Sequence, residues 1–197
     1  MSLSAAARAL ILEAEGFDAK PGWPGGQSGV TIGFGYDLGY VTVDQFESDW
    51  GERIKPDALE RLKAAVGVRA LRARNRIVEL SDLRIPRSAA EQVFDARMLP
   101  LFELRTAQAF PGVDALPEDA RGALVSLVYN RGTSMIDNSG DDRRREMRAI
   151  RAAVAAGDLA AIAAQLRAMK RLWQGKGLAG LIARREQEAR LVESALA

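Results

Sequence analysis

Two acids and a threonine lie close together near the start of the chain. Glu15 ends an apolar segment, Thr31 lies in a short run of alternating residues, and Asp37 follows that run. Cleavage of a glycosidic bond uses two carboxyl groups beside a cleft, one as the proton donor and one as a base or nucleophile. The residue types and their spacing within residues 15–37 therefore predict carboxylate acid–base chemistry of this kind.

The composition excludes most other catalytic systems. The 197 residues include no histidine and no cysteine, which excludes Ser-His-Asp catalysis, histidine-ligated zinc and thiolate nucleophiles. Carboxylates remain as the natural acid–base groups, and we expect no metal and no cofactor.

The first helix and the segment after it must position these residues. Residues 4–15 have the apolar spacing of a helix, which Gly16 ends, so Glu15 lies on the last helical turn. Residues 17–29 combine prolines and glycines, a composition typical of turns. Residues 30–36 alternate apolar side chains with threonine and glycine, which predicts a strand with one buried face.

The spacing of Thr31 and Asp37 predicts a bend between them. In a straight strand the two side chains share a face, but they lie about 20 Å apart, which is too far to hold one water. We therefore expect the chain to fold back at Gly33 and Gly35, which tolerate the required backbone angles. The alternative is that Asp37 only caps the turn that follows it. Asp18, the other acid of the segment, is expected to cap the helix or face solvent.

The rest of the chain predicts helices. Their approximate ranges are 42–53, 57–65, 68–80, 88–109, 117–131, 142–156, 158–171 and from 180 onward. Pro100 is expected to kink or break its helix, whereas residues 117–131 are apolar on nearly all sides and predict the central buried helix. Residues 68–80 are rich in arginine without an interleaved aromatic residue, so we interpret them as an amphipathic helix and expect no nucleic-acid partner.

Three motifs resemble the phage-type lysozymes, glycoside hydrolase family 24. They are Glu15-Gly16 with Thr31-Ile32-Gly33-Phe34-Gly35, then Tyr129-Asn130-Arg131-Gly132, and finally Gly180-Leu181 with Arg184-Arg185 and Glu188. Common members of the family also carry an acid six residues before the threonine, where this chain has Gly25. The acid Asp37 lies six residues after Thr31 instead, which resembles the pesticin-like variant of the family.

The resemblance implies a fold and a reaction. The fold would be mostly α (α+β) and lysozyme-like, a single domain over 1–197. A small β-hairpin lobe at about 16–80 and a helical lobe at about 87–197, which includes the N-terminal helix, would enclose a cleft. The reaction would be that of a muramidase, which hydrolyses the bond between N-acetylmuramic acid and N-acetylglucosamine in peptidoglycan.

The resemblance also implies roles for single residues. Glu15 would be the general acid, and Asp37 and Thr31 would position the attacking water. Asn130 and Tyr36 are expected to bind the glycan.

Two other functions remain open. The lack of an acid at Gly25 favours a peptidoglycan-binding or phage structural module that has kept the fold and lost turnover. A lytic transglycosylase needs only one acid and would form an anhydro sugar.

The sequence also suggests where the protein acts and what it binds. No apolar run is long enough to span a membrane, and the N-terminus lacks the basic and apolar regions of a signal peptide. We therefore expect a protein that is made in the cytoplasm and reaches the bacterial periplasm or cell wall by another route. Its expected partners are the glycan strands of bacterial peptidoglycan, bound by a monomer.

Overall fold

Ten α-helices and one small sheet make up the part of the chain that the computed structural model describes, residues 3–138 and 140–196. The helices are α1 (Ala5–Glu15), α2 (Val43–Trp50), α3 (Pro56–Lys63), α4 (Leu71–Leu80), α5 (Arg87–Val93), α6 (Leu99–Ala109), α7 (Glu118–Arg131), α8 (Arg145–Ala156), α9 (Leu159–Ala168) and α10 (Ala179–Glu193). The expected mostly helical α+β fold is confirmed. No helix in these residues is long and apolar enough to cross a membrane.

The sheet is antiparallel and has the strand order β1-β2-β3. Its strands are β1 (Asp18–Gly22), β2 (Thr31–Gly33) and β3 (Tyr36–Asp37). The alternating run 30–36 is divided between β2 and β3, in line with the expected fold-back at Gly33 and Gly35. Its apolar side chains are buried as the alternation predicts.

β1 lies in a segment for which the sequence predicts only turns. Its backbone pairs with β2, with Asp18 opposite Gly33 and Gly22 opposite Thr31, and the register is irregular between these two pairs. Because β1 is an edge strand, it tolerates Pro21, which has no N–H to donate. The prediction of turns is wrong here, since the strand depends on main-chain hydrogen bonds from β2 and not on its own composition.

The long helix expected over 88–109 is irregular in the turn before Pro100. A π-helical segment at Phe94–Met98 separates α5 from α6, and the N–H of Leu99 donates to the carbonyl of Phe94. Pro100 has no N–H to continue the normal helical pattern. The wider π turn accommodates that missing donor, which explains why the irregularity precedes the proline.

The chain divides into two compact units. Unit 1 contains Met1–Ala14 and Leu101–Ala197, and unit 2 contains Glu15–Pro100. Glu15, the last residue of α1, is therefore the first residue of unit 2.

The helix α7 is the central helix of unit 1. Its residues from 122 to 128 are all buried. Ala123, Leu124, Leu127 and Val128 pack in one core with apolar side chains of α8, α9 and α10. The prediction of a central buried helix is confirmed, because a helix that is apolar on every side is stable only inside such a core.

A buried ionic cluster joins α10 to α7 within unit 1. Arg184, Arg185 and Glu188 are at most 4% exposed. The Glu188 carboxylate accepts hydrogen bonds from Arg185 at 2.7 Å and from the Ser126 hydroxyl at 2.6 Å, and Arg184 donates to the Ser126 carbonyl at 3.0 Å. Burial raises the pKa of Glu188, which the two arginines oppose, and burial also lowers the pKa of Arg185. Such a cluster is structural, since removal of one partner typically costs about 3–5 kcal/mol.

Gly122 allows α1 and α7 to approach closely. A Cβ atom at Gly122 would lie 2.1 Å from the Cβ of Ala7. We therefore expect Gly122→Ala to lower the free energy of unfolding by about 1–3 kcal/mol, as in other overpacked cores, measured by chemical denaturation.

Gly180→Ala provides the matched control. Gly180 lies within α10, where a Cβ atom would meet nothing within 4 Å, so this change should raise stability by about 0.4–1 kcal/mol. If the two variants were equally stable, the close packing of α1 on α7 would be contradicted.

Candidate active site

Glu15 stands where α1 meets the sheet. Gly16 follows it with φ of +71°, a left-handed conformation that ends the helix, and β1 begins at Asp18. Three residues of chain span at most about 11 Å, so the helix end is tied to the start of the sheet. The Glu15 side chain is half-buried, whereas Asp18 is exposed, as expected for a residue that faces solvent.

Aromatic packing within unit 2 holds the segment after Glu15 against the hairpin. The ring of Phe17 lies 5.4 Å from the ring of Phe34, which stands at the tip between β2 and β3. The guanidinium of Arg87 lies over both rings, at 5.6 and 5.4 Å from their centroids. The sequence does not reveal this group, because contact between an arginine in α5 and two separated rings leaves no local pattern.

The hairpin between β2 and β3 brings Thr31 and Asp37 together. They are directly opposed partners in the antiparallel register, and Ile32 pairs with Tyr36. Gly33 and Gly35 adopt φ of +61° and +84°, conformations that glycine tolerates best. The predicted bend is confirmed. Side chains of opposed residues lie on the same face, with Cβ atoms about 4.5–5.5 Å apart.

Asp37 also has a structural task. Its Oδ1 atom accepts hydrogen bonds from the N–H of Gly39 at 2.8 Å and from the N–H of Gly29 at 2.9 Å. The first of these caps the 3₁₀ turn Leu38–Tyr40, so the capping role considered above is present. All hydrogen bonds of this side chain within the described residues end on Oδ1, which leaves Oδ2 for another group.

The hydroxyl of Thr31 is a buried polar atom whose hydrogen-bonding capacity is unused. Among the residues that the structure describes, Oγ1 has no hydrogen-bond partner. Burial of a hydroxyl without a partner costs on the order of 1–3 kcal/mol. This hydroxyl beside Asp37 is therefore suited to bind a ligand or an ordered water.

Tyr36 does not occupy the position expected of a substrate-binding residue. It is 4% exposed, its ring packs against Trp50, and its hydroxyl donates to Asp49 at 2.7 Å. Burial, followed by this hydrogen bond, raises the pKa of Tyr36 above its usual range. Since neighbouring side chains of a strand point to opposite faces, Tyr36 lies on the other side of β3 from Asp37 and offers no surface to a glycan.

Asn130 belongs to unit 1, where it is the next-to-last residue of α7. Its side chain is exposed, and Gly132 follows with φ of +70° at the helix end. The amide offers two donors and an acceptor to a polar ligand.

Comparison with known proteins gives one family match, one similar solved structure and one negative result. The sequence profile of the phage lysozyme family matches residues 13–188, which include every candidate residue. Among solved structures, the active form of the endolysin Lyz of phage P1 is similar. The TM-score is 0.57 at 19% identity, over 99% of this chain and 86% of that chain. No curated protein gives a significant match. The structural likeness confirms the expected lysozyme-like fold.

Gly29 is the position at which the geometry of Asp37 can be tested. A Cβ atom there would lie 2.5 Å from Asp37 Oδ1 and 2.3 Å from the nitrogen of Gly39. We expect Gly29→Ala to displace the carboxylate, to lower stability by about 1–3 kcal/mol and to reduce peptidoglycan clearing at least tenfold.

Gly22→Ala in β1 is the matched control, because a Cβ atom there would meet nothing within 4 Å. Calorimetry and a turbidity assay would compare both variants with the parent protein. Parent-like clearing by Gly29→Ala would mean that the position of Asp37 does not matter for activity.

Proposed function

The chain belongs to the phage lysozyme family of peptidoglycan-cleaving glycoside hydrolases, and we propose that it hydrolyses the bond between N-acetylmuramic acid and N-acetylglucosamine. The proposed catalytic residues are Glu15, Thr31 and Asp37, all of which lie in unit 2. We further propose that the protein acts in the bacterial periplasm or cell wall, as a monomer.

Glu15 has the role of general acid. Its carboxyl group, at the end of α1, would donate a proton to the oxygen that leaves when the glycosidic bond breaks. Asp37 would accept a proton from a water molecule that attacks the sugar on the opposite face. This division of labour is that of an inverting glycosidase, in which the second carboxylate acts on water and not on the sugar itself.

The observation that carries the proposal is the pairing of Thr31 with Asp37. The buried hydroxyl of Thr31 has an unused hydrogen bond within the described residues, and it is directly opposed to an acid on the same face of the hairpin. A water held between the Thr31 hydroxyl and Asp37 Oδ2 would form a hydrogen bond with the hydroxyl. Asp37 would activate the same water by accepting its proton. The restraint of Oδ1 by two N–H groups supports the proposal, because it fixes the direction in which Oδ2 points.

A non-catalytic peptidoglycan-binding module is the second candidate. It is favoured by the capping bonds of Asp37, which give that acid a reason to be present without catalysis. Gly25, which stands at the usual position of the second acid, also favours a non-catalytic module.

Mass spectrometry of digested peptidoglycan separates these functions. Hydrolysis yields reducing N-acetylmuramic acid ends, which is the result we expect. A lytic transglycosylase would leave anhydro ends, and a binding module would release no fragments, so either of these results would overturn the proposal.

Glu15→Gln tests the general acid. The change keeps the size of the side chain and removes its transferable proton, so we expect the rate of peptidoglycan hydrolysis to fall by about 10²–10⁴-fold in a protein that still folds. Glu13→Gln, at an exposed position of the same helix, is the control and should retain the parent rate. Near-parent activity of Glu15→Gln would make Glu15 a structural residue.

Asp37→Asn separates catalysis from capping. Asparagine keeps an oxygen that can accept hydrogen bonds from the two N–H groups, but it cannot act as a base. We therefore expect a folded protein with little activity, whereas Asp18→Asn at the exposed start of β1 should be active. An active Asp37→Asn variant would show that this acid serves only as a cap.

Asn130 is proposed to bind the glycan without taking part in bond cleavage. Its amide suits the N-acetyl and hydroxyl groups of the sugars. Steady-state kinetics of Asn130→Ala should show a raised KM with a smaller change in kcat, and a large fall in kcat at constant KM would contradict this role.

A further inference from the structure

A second surface of unit 2 has the form of a ligand site. An open groove of about 950 Å³ runs along α4 and the loop before it. This volume is at the upper end of those of small-molecule sites, so the groove is large enough for an oligomer. Its polar lining consists of Gln27, Arg69, Arg72, Asn75, Arg76 and Glu79.

The groove carries positive charge that its own acids do not balance. Arg76 pairs with Glu79 at 2.8 Å. Within the part of the chain that the structure describes, Arg69 and Arg72 form no ion pair and no side-chain hydrogen bond, although both line the groove. By contrast, Arg61 elsewhere in unit 2 is paired with an aspartate at 2.6 Å. The two guanidinium groups of the groove are therefore available to an anionic ligand.

Two further features favour an anion at this end of α4. The first turn of α4 contains no acidic residue, and its N-cap Ala70 makes no side-chain hydrogen bond, so the helix end adds a partial positive charge. The guanidinium of Arg69 is held 5.1 Å from the ring of Tyr40, whose hydroxyl donates to Gln27. This stacking orders Arg69 before any ligand binds, and it also covers one face of the nearest aromatic ring.

The groove is built onto the hairpin that carries Thr31 and Asp37. Arg69 forms a β-bridge with Gly29, the N–H of Ala70 donates to the Ser28 carbonyl at 3.0 Å, and the N–H of Gly67 donates to Leu38 at 2.9 Å. Gly29 is also one of the two residues that hold Asp37 Oδ1. A ligand in the groove would therefore lie beside the segment that fixes Asp37.

We propose that this groove binds the carboxylates of the peptide stems of peptidoglycan, as a site separate from the one that cleaves the glycan. The inference rests on the proposed function, which brings this polymer to unit 2. Each stem is a short, extended peptide with free carboxylates, and arginine binds carboxylates through paired N–H groups. A nucleic acid is the less favoured ligand, because the net charge of the chain is only +2 and the aromatic ring nearest the groove is already stacked with Arg69.

The test measures how much protein sediments with insoluble peptidoglycan. Every variant also carries Glu15→Gln, so that the wall is not cleaved during the measurement. Wall is used both untreated and after hydrofluoric acid, which removes phosphodiester-linked polymers. Half of the treated wall is also stripped of peptide stems with an amidase, and a DNA duplex serves as the polyanion control. The variants are Arg72→Gln and the double change Arg69→Gln with Arg72→Gln. Arg74→Gln is the matched control, since it removes the same charge from an exposed position of α4 outside the groove lining.

We expect the double variant to bind stem-bearing wall about tenfold more weakly and Arg72→Gln about threefold more weakly, in line with two exposed charge pairs. Arg74→Gln should lie within twofold of the parent, and stem-free wall should bind all variants alike. Among the described residues Arg72 has no side-chain partner to lose, so its single change tests the groove even if the double variant unfolds.

Three outcomes would overturn the proposal. The groove variants could bind the wall as tightly as Arg74→Gln does. Their loss of binding could persist on stem-free wall. The loss of binding could also appear only on wall that retains phosphodiester polymers, or on a DNA duplex. Binding is read independently of cleavage. A chain that binds stems through the groove but releases no hydrolysed ends would therefore contradict the proposed enzymatic function and leave this inference intact.

Discussion

Unit 2 depends on one interaction, in which the Asp37 carboxylate accepts hydrogen bonds from two backbone N–H groups. Through Oδ1, Asp37 joins Gly29, which lies two residues before β2, to the turn after β3 and to its own strand. The same two glycines, Gly29 and Gly39, lie against Arg69 and so connect the hairpin to the loop before α4. Both glycines lack the space for a Cβ atom. A single carboxylate thus fixes the fold of the hairpin and, in our proposal, contributes its other oxygen to catalysis.

Much of this arrangement could be predicted from the sequence, because it depends on short-range patterns. The end of α1 at Glu15 follows from a glycine after an apolar helix, and the bend between Thr31 and Asp37 follows from two glycines and the reach of a strand. β1 could not be predicted, since its pairing depends on a partner strand and its composition favours turns. Tyr36 is instructive: its place in the apolar alternation indicates burial, as observed, and its hydroxyl donates to Asp49. The expected glycan contact stays a prediction, which this geometry does not support.

Arginine serves two different purposes in the two units. In unit 1, Arg185 is completely buried and is retained by Glu188 of its own helix, so its cost of desolvation is offset by pairing. In unit 2, Arg69 and Arg72 remain accessible beside a groove, where an unpaired guanidinium costs little and can bind an anion. The family motif that contains Arg184 and Arg185 therefore marks structural residues, whereas the arginines outside any motif lie on the surface proposed to bind peptide stems.

A crystal structure of the Glu15→Gln protein with a muropeptide fragment would test the central claim most directly. The account predicts an ordered water within about 2.6–3.2 Å of both Thr31 Oγ1 and Asp37 Oδ2, on the face of the sugar opposite residue 15, while Asp37 Oδ1 keeps its bonds to Gly29 and Gly39. A bound fragment with no water at this position, or a Thr31 hydroxyl that bonds to another protein group, would contradict the assignment of this pair to catalysis.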